Sequence, residues 1–244
     1  MAERAGAPPR PAARRGLVSG GLTRIAQGLA WLVGALLFSV LIEWTGMVFW
    51  WPEQGLDHSR RMLEREIRYL DGDFRRSLLS PDPAGFARKL AGRVHHGLFE
   101  ATGWIDFLQW VSGPPQPGES GLRPVLHRLY SPAGEFLVAA MQVTQVFCVR
   151  LAVLSLSTPV FFLFGLVGLV DGLVRRDLRR WGGGRESSFV YHYARRSVLP
   201  LMVSAWVTYL ALPFSLHPAW IVLPFAALLA LVVTVTAGTF KKYL

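Results

Sequence analysis

A single cysteine, Cys148, stands among 244 residues, which excludes an internal disulfide framework and a cysteine-built zinc cluster. It lies in an apolar stretch, where a small buried hydrophobe is its expected role. Charge is scarce as well. Asp, Glu, Lys and Arg make up 17% of the chain, against about a quarter in an ordinary soluble domain. There is no phosphate-binding glycine loop, no HExxH zinc motif and no nucleophile elbow. His96 and Glu100 stand one helical turn apart, as metal ligands can, but no partner set with recognisable spacing accompanies them. The expectation is a non-enzymatic protein with no catalytic residues, no metal and no cofactor.

What the chain has instead is apolar length. Hydrophobic residues make up 52%, gathered into runs that reach the roughly 20 residues a membrane-crossing helix needs. Residues 1–21, rich in Pro, Ala, Gly and Arg, bury little and read as a disordered basic tail. The first run, within 22–51, follows Arg10, Arg14, Arg15 and Arg24 and ends in Trp44, Phe49, Trp50 and Trp51, an aromatic cluster suited to the far interface. It is too long for a signal peptide, and no small-x-small cleavage site follows it. Glu43 is its one internal charge. An interfacial carboxylate, or one paired within the bundle, is the plainer reading; a proton or ion pathway is the functional one.

Between 52 and 135 the composition changes to eleven basic and eleven acidic residues. Leu63, Ile67, Leu70 and Phe74 recur at helical spacing, which predicts an amphipathic helix. Asp82-Pro83 marks the start of a second one. Trp104, Phe107 and Trp110 then lie in a stretch too polar to span and too greasy for water, expected at the bilayer surface or against the bundle.

Ser131-Pro132 reads as another helix start. The apolar stretch that follows, 136–174, is too long for one crossing. Placing 151–173 in lipid leaves Arg150 at the outer interface, its head snorkelling to water, and makes 136–149 an extension packed on the insertion. Residues 175–197 form an arginine-rich loop, 198–216 a third span, 219–240 a fourth, and 241–244 a short tail. The fold class expected is therefore an all-α integral membrane protein of four transmembrane helices, with a helical periplasmic insertion between the first two.

The +10 formal charge is topological. Five basic residues lie in the N-terminal tail, seven in the loop between spans two and three and two at the C-terminus, while the turn between spans three and four has none. The positive-inside rule puts these three segments on one side. Both termini are then cytoplasmic and the insertion lies outside, which in a bacterium is the periplasm, the chain sitting in the inner membrane.

The arginine-rich segment is the candidate site. Asp171 and Arg175 are one turn apart in the favourable order. Arg175 aligns with Arg179, and Arg176 with Arg180, in like-charged rows beside Asp177 that call for something anionic opposite. Trp181 adds an aromatic anchor, and Arg185, Glu186, Tyr191, His192, Arg195 and Arg196 continue the set. Anchoring to anionic headgroups is the plainer role; a docking surface for a protein partner is the functional one. Direct DNA binding is disfavoured, since arginines beside a membrane meet lipid phosphates first and no nucleic-acid module surrounds them.

The run VDGLVRRDLRRW from Val170 and the run GRESSFVYHYARR from Gly184 resemble the signature of the integrating conjugative element membrane protein family. The likeness covers most of the chain, including the anchor that ends in Glu43-Trp44 and the proline-containing turn before the last span. It implies a place among conjugative type IV secretion proteins and their coupling ATPase, and supplies no catalytic residues. A scaffold or docking protein of DNA transfer is the expected function, with membrane lipids and other transfer proteins as partners, the coupling ATPase first among them. A small transporter or channel-like protein is the rival, resting on a thin set of polar residues without internal repeats.

Overall fold

The structure, a computed structural model, describes residues 17–73, 82–114, 121–182 and 188–240. All regular structure in them is helical: α1 (Leu17–Phe49), α2 (Leu56–Asp73), α3 (Pro83–His95) running into a π-turn (His96–Glu100), α4 (Trp104–Ser112), α5 (Leu122–Trp181), α6 (Ser188–Ala211) and α7 (Ala219–Gly238). Two units separate along the chain, one ending at Gly34 and one from Ala35 onward; the side-chain contacts described below belong to the second.

Asp82 caps α3 as its sequence predicts. Its Oδ1 accepts from the Gly85 N–H at 2.8 Å, with Pro83 in the first turn. On α2 the buried stripe is Ser59, Met62, Glu66 and Leu70, shifted by one residue from the expected Leu63–Ile67 face, and Phe74 lies outside the described residues. The shift puts a carboxylate at the centre of the packed face.

The expected helix start at Ser131-Pro132 is corrected. α5 begins at Leu122, passes through Pro132 and Pro159, and continues for 60 residues, about 90 Å at 1.5 Å per residue. An interior proline costs a helix about 3 kcal/mol. Here α3 and α4 pack along the first part of α5, and such tertiary packing is what holds most helices together. The arginine-rich loop is also mostly helix: 175–181 ends α5 and 188–197 opens α6. The third apolar run is helical only to Ala211, because Pro213 disfavours helical geometry at Leu212.

Three helices are long and apolar enough to cross a membrane, by length and composition: Gly21–Phe49 within α1, α5 and α7. α6 falls short of that measure because Arg195 and Arg196 interrupt it. The core of this part joins Phe161 of α5, Ala205 of α6, and Val222, Ala226 and Leu229 of α7. A second cluster joins Met62 of α2 to Val143 and Val146 of α5, with Val40 of α1 against it.

α5 and α7 run in the same direction with their backbones in close approach. A Cβ on Gly168 would collide with the Ala230 backbone carbonyl, and one on Gly172 would lie 2.6 Å from the Thr234 carbonyl oxygen. The Thr234 hydroxyl donates across the gap to the Gly168 carbonyl at 3.0 Å. Small residues at helix contacts are what permits such approach in apolar surroundings. Gly165, on the same helix, has open space where its Cβ would be. Gly168→Val is therefore expected to destabilise the detergent-solubilised protein by about 1–3 kcal/mol in thermal unfolding. Gly165→Ala should leave it unchanged or raise stability by up to about 1 kcal/mol; equal behaviour of the two variants would contradict this packing.

Candidate functional site

Arg150, on α5, reaches the end of α6 nearest the α6–α7 turn, and its head is shielded from water. Its side chain is 2% exposed and pairs with Glu66 of α2, which is 0% exposed, at 2.8 Å. This corrects the snorkelling expectation, and the reason lies in what the guanidinium satisfies. Nε donates to Glu66 Oε1 at 2.9 Å. Nη1 donates to the carbonyls of Tyr209 (3.3 Å) and Leu212, and Nη2 to that of Phe214 at 2.8 Å. The last carbonyls of a helix have no partner within it, and a cation there also complements the helix dipole. Arg150 thus caps α6 from another helix. The Tyr209 hydroxyl donates to Glu66 Oε2 at 3.0 Å, and its ring lies 5.5 Å from the guanidinium carbon.

Further bonds gather on this joint. Ser59 Oγ donates to Gln142 Oε1 at 2.6 Å, Ser215 Oγ to the Met62 carbonyl at 3.1 Å, and Ser39 Oγ to the Leu210 carbonyl at 2.9 Å. Tyr69 meets His217 edge-on at 5.1 Å. Glu43, 1% exposed, takes the paired position: His58 Nδ1–H donates to its two oxygens at 3.0 and 3.2 Å. His58 in turn stacks on Trp51 at 4.0 Å. A small void of ≈ 10 Å³ is lined by Glu43 and Arg150, among others, room for about one water. The arrangement ties α1, α2, α5 and the α6–α7 turn at one level and offers no wide path.

Glu66 and Tyr209 escaped the sequence reading. The available signal was Arg150 itself, a fixed charge inside an apolar run that needs a counterion, and Glu66 standing between Met62 and Leu70 at four-residue spacing.

At the other end of α5 the arginine cluster is mainly solvent-facing. Asp171 pairs with Arg175 at 2.9 Å, both well exposed, a pair worth little in stability. Asp177 lies 3.6 Å from Arg176. Arg180 is exposed, Arg179 half-buried, and Trp181 is 91% exposed. Arg185 and Glu186 lie outside the described residues. On α6, Tyr191 turns inward, buried against Phe240 at 5.7 Å, while His192, Arg195 and Arg196 are exposed; Arg195 reaches the Tyr191 hydroxyl at 3.5 Å. The structure thus joins Asp171 to Arg175 and Tyr191 to His192 and Arg195, and leaves Trp181 open.

In the insertion, Glu100 accepts from His96 Nδ1 at 2.7 Å and from His95 Nδ1 at 3.2 Å. The His96 hydrogen bond above all, then His95, holds its carboxyl below the usual carboxylate range against partial desolvation. No group of three or more His, Cys, Asp or Glu is gathered as a metal site among the described residues.

A family model described as "IncC plasmid conjugative DNA transfer protein DtrJ-like" matches residues 50–241. The chain belongs to the DtrJ-like family. The match takes in α2 to α7, so both the Arg150 joint and the arginine-rich end lie inside it. Membership bears out the expected association with conjugative transfer and implies involvement in conjugative DNA transfer. No curated protein and no solved structure matches the chain.

Removing one member of a buried ion pair costs roughly 3–5 kcal/mol, whereas apolar replacement of both is often neutral. Arg150→Met and Glu66→Met are each expected to destabilise the protein by about 3–5 kcal/mol in thermal unfolding, and the double variant by clearly less than their sum. Strict additivity would mean that the two side chains do not act as a pair.

Proposed function

We propose that this chain is an inner-membrane scaffold of a conjugative DNA-transfer apparatus, a non-enzymatic protein of the kind found with integrating conjugative elements and their type IV secretion systems. In this reading α6 is a fourth crossing beside α1, α5 and α7. Its short apolar part is compensated by packing against α5 and α7, and both termini lie in the cytoplasm, as the positive-inside rule favours. The insertion then stands in the periplasm.

The observation that carries the proposal is α5, one helix continuous from the insertion to the exposed Arg175–Trp181 end. With 151–173 in lipid, the part from Leu122 to Val149 rises about 42 Å beyond it. Arg150 and Glu66 lock the insertion to that helix at its base. A rigid strut with a basic, aromatic tip suits holding proteins in place. Arginine and tryptophan are enriched at the energetic centres of interfaces, and the coupling ATPase is the first partner to test. The transporter reading gains no support from a void that admits about one water.

Replacing Arg175, Arg176, Arg179 and Arg180 together by Gln is expected to lower conjugative transfer frequency by roughly tenfold or more, as loss of hot-spot arginines does to binding. Protein level and membrane orientation should stay normal. Undiminished transfer by that variant would remove the docking role.

A further inference from the structure

A second feature lies at the opposite end of the bundle, where α1 turns into α2. An open cleft of ≈ 430 Å³ is walled by Trp50, Trp51, Gln54, Arg61, Arg65 and Phe214, among others. None of the residues lining it is acidic, so its two guanidinium charges face no carboxylate within the cleft. Arg61 is held in place there, Nε donating to the Asp57 carbonyl at 3.2 Å and Nη2 to Gln54 Oε1 at 2.8 Å. Among the described residues Nη1 has no hydrogen-bond partner. The Trp51 indole N–H is buried and finds no acceptor among the described residues. Beside these polar groups, Trp50 (66% exposed) and Phe214 (48%) present bare aromatic surface.

We infer that this cleft binds the phosphate-bearing headgroup of an anionic phospholipid, with its acyl chains against the exposed aromatic and aliphatic surface of α1. Three observations converge on that class of ligand. Two arginines and no carboxylate line the cleft, and arginine's planar fork suits phosphate oxygens. The rim is aromatic, as at membrane–water interfaces. The volume lies within the range of small-ligand sites. A free inorganic phosphate shares the charge but would leave the aromatic rim unused. The inference rests on the bilayer placement proposed above, and its consequence is local: a bound headgroup would steady the turn whose His58 holds Glu43.

The test uses the full chain, purified in detergent and analysed intact by native mass spectrometry while phosphatidylglycerol, phosphatidylcholine or inorganic phosphate is titrated. Phosphatidylglycerol is expected to be retained in preference to phosphatidylcholine. The double variant Arg61→Gln/Arg65→Gln should weaken that retention roughly twenty-fivefold, about a factor of five for each guanidinium. Equal retention of the two lipids, or no change in the double variant, would overturn the site. Inorganic phosphate bound as tightly as the lipid, with the same sensitivity to the variant, would overturn the lipid assignment. Flotation with neutral phosphatidylcholine vesicles reads the bilayer placement separately. The wild type and the double variant are both expected to float, and failure of the wild type to do so would bring down the placement and this proposal with it.

Discussion

A guanidinium removed from water must have its charge and its donors met, and the architecture around Arg150 follows from that requirement. Burying an ion costs several kcal/mol even after relaxation. Arg150 recovers this through Glu66 on α2 and three carbonyls, that of Tyr209 in the last turn of α6 and those of Leu212 and Phe214 just beyond it. Those carbonyls would themselves be costly to leave unmet away from water. One side chain thus solves two problems at once, the end of α6 and the attachment of α2. Breaking it exposes both.

From this joint the two halves of α5 acquire different work. Toward its C-terminus α5 packs against α7 through Gly168 and Gly172, where backbone meets backbone and a Thr234 hydroxyl crosses the gap. Toward its N-terminus the same helix carries α2, α3 and α4. A polar joint between an apolar bundle and a mixed-charge insertion gives a fixed register that hydrophobic contact alone does not specify, since apolar faces can slide. The second pair, Glu43 with His58, repeats the device one step nearer to the α1–α2 turn.

Much of this was legible in the residues. The all-helical class, the Asp82 cap and the apolar runs of α1, α5 and α7 follow from periodicity, capping chemistry and length. The family association was carried by the runs around Val170 and Gly184 and is borne out by the DtrJ-like match. What escaped depended on contacts distant in sequence. Pro132 reads locally as a helix start, and only the packing of α3 and α4 on α5 makes it an interior residue. Arg150 reads as a snorkelling interface residue until Glu66, 84 positions away, is brought to it. Tyr191 belongs by sequence to the exposed basic segment, yet it lies buried against Phe240, just beyond α7.

Site-directed cross-linking across the α2–α5 joint tests the central claim most directly. Ser59→Cys and Gln142→Cys replace two side chains already in hydrogen-bond contact, in a Cys148→Ser background that removes the natural thiol. In unsolubilised membranes, a short thiol-specific bifunctional cross-linker should join them efficiently, and adding Arg150→Met should slow the reaction markedly. Absence of the cross-link, or a rate indifferent to Arg150, would contradict an insertion held to the bundle by that buried charge.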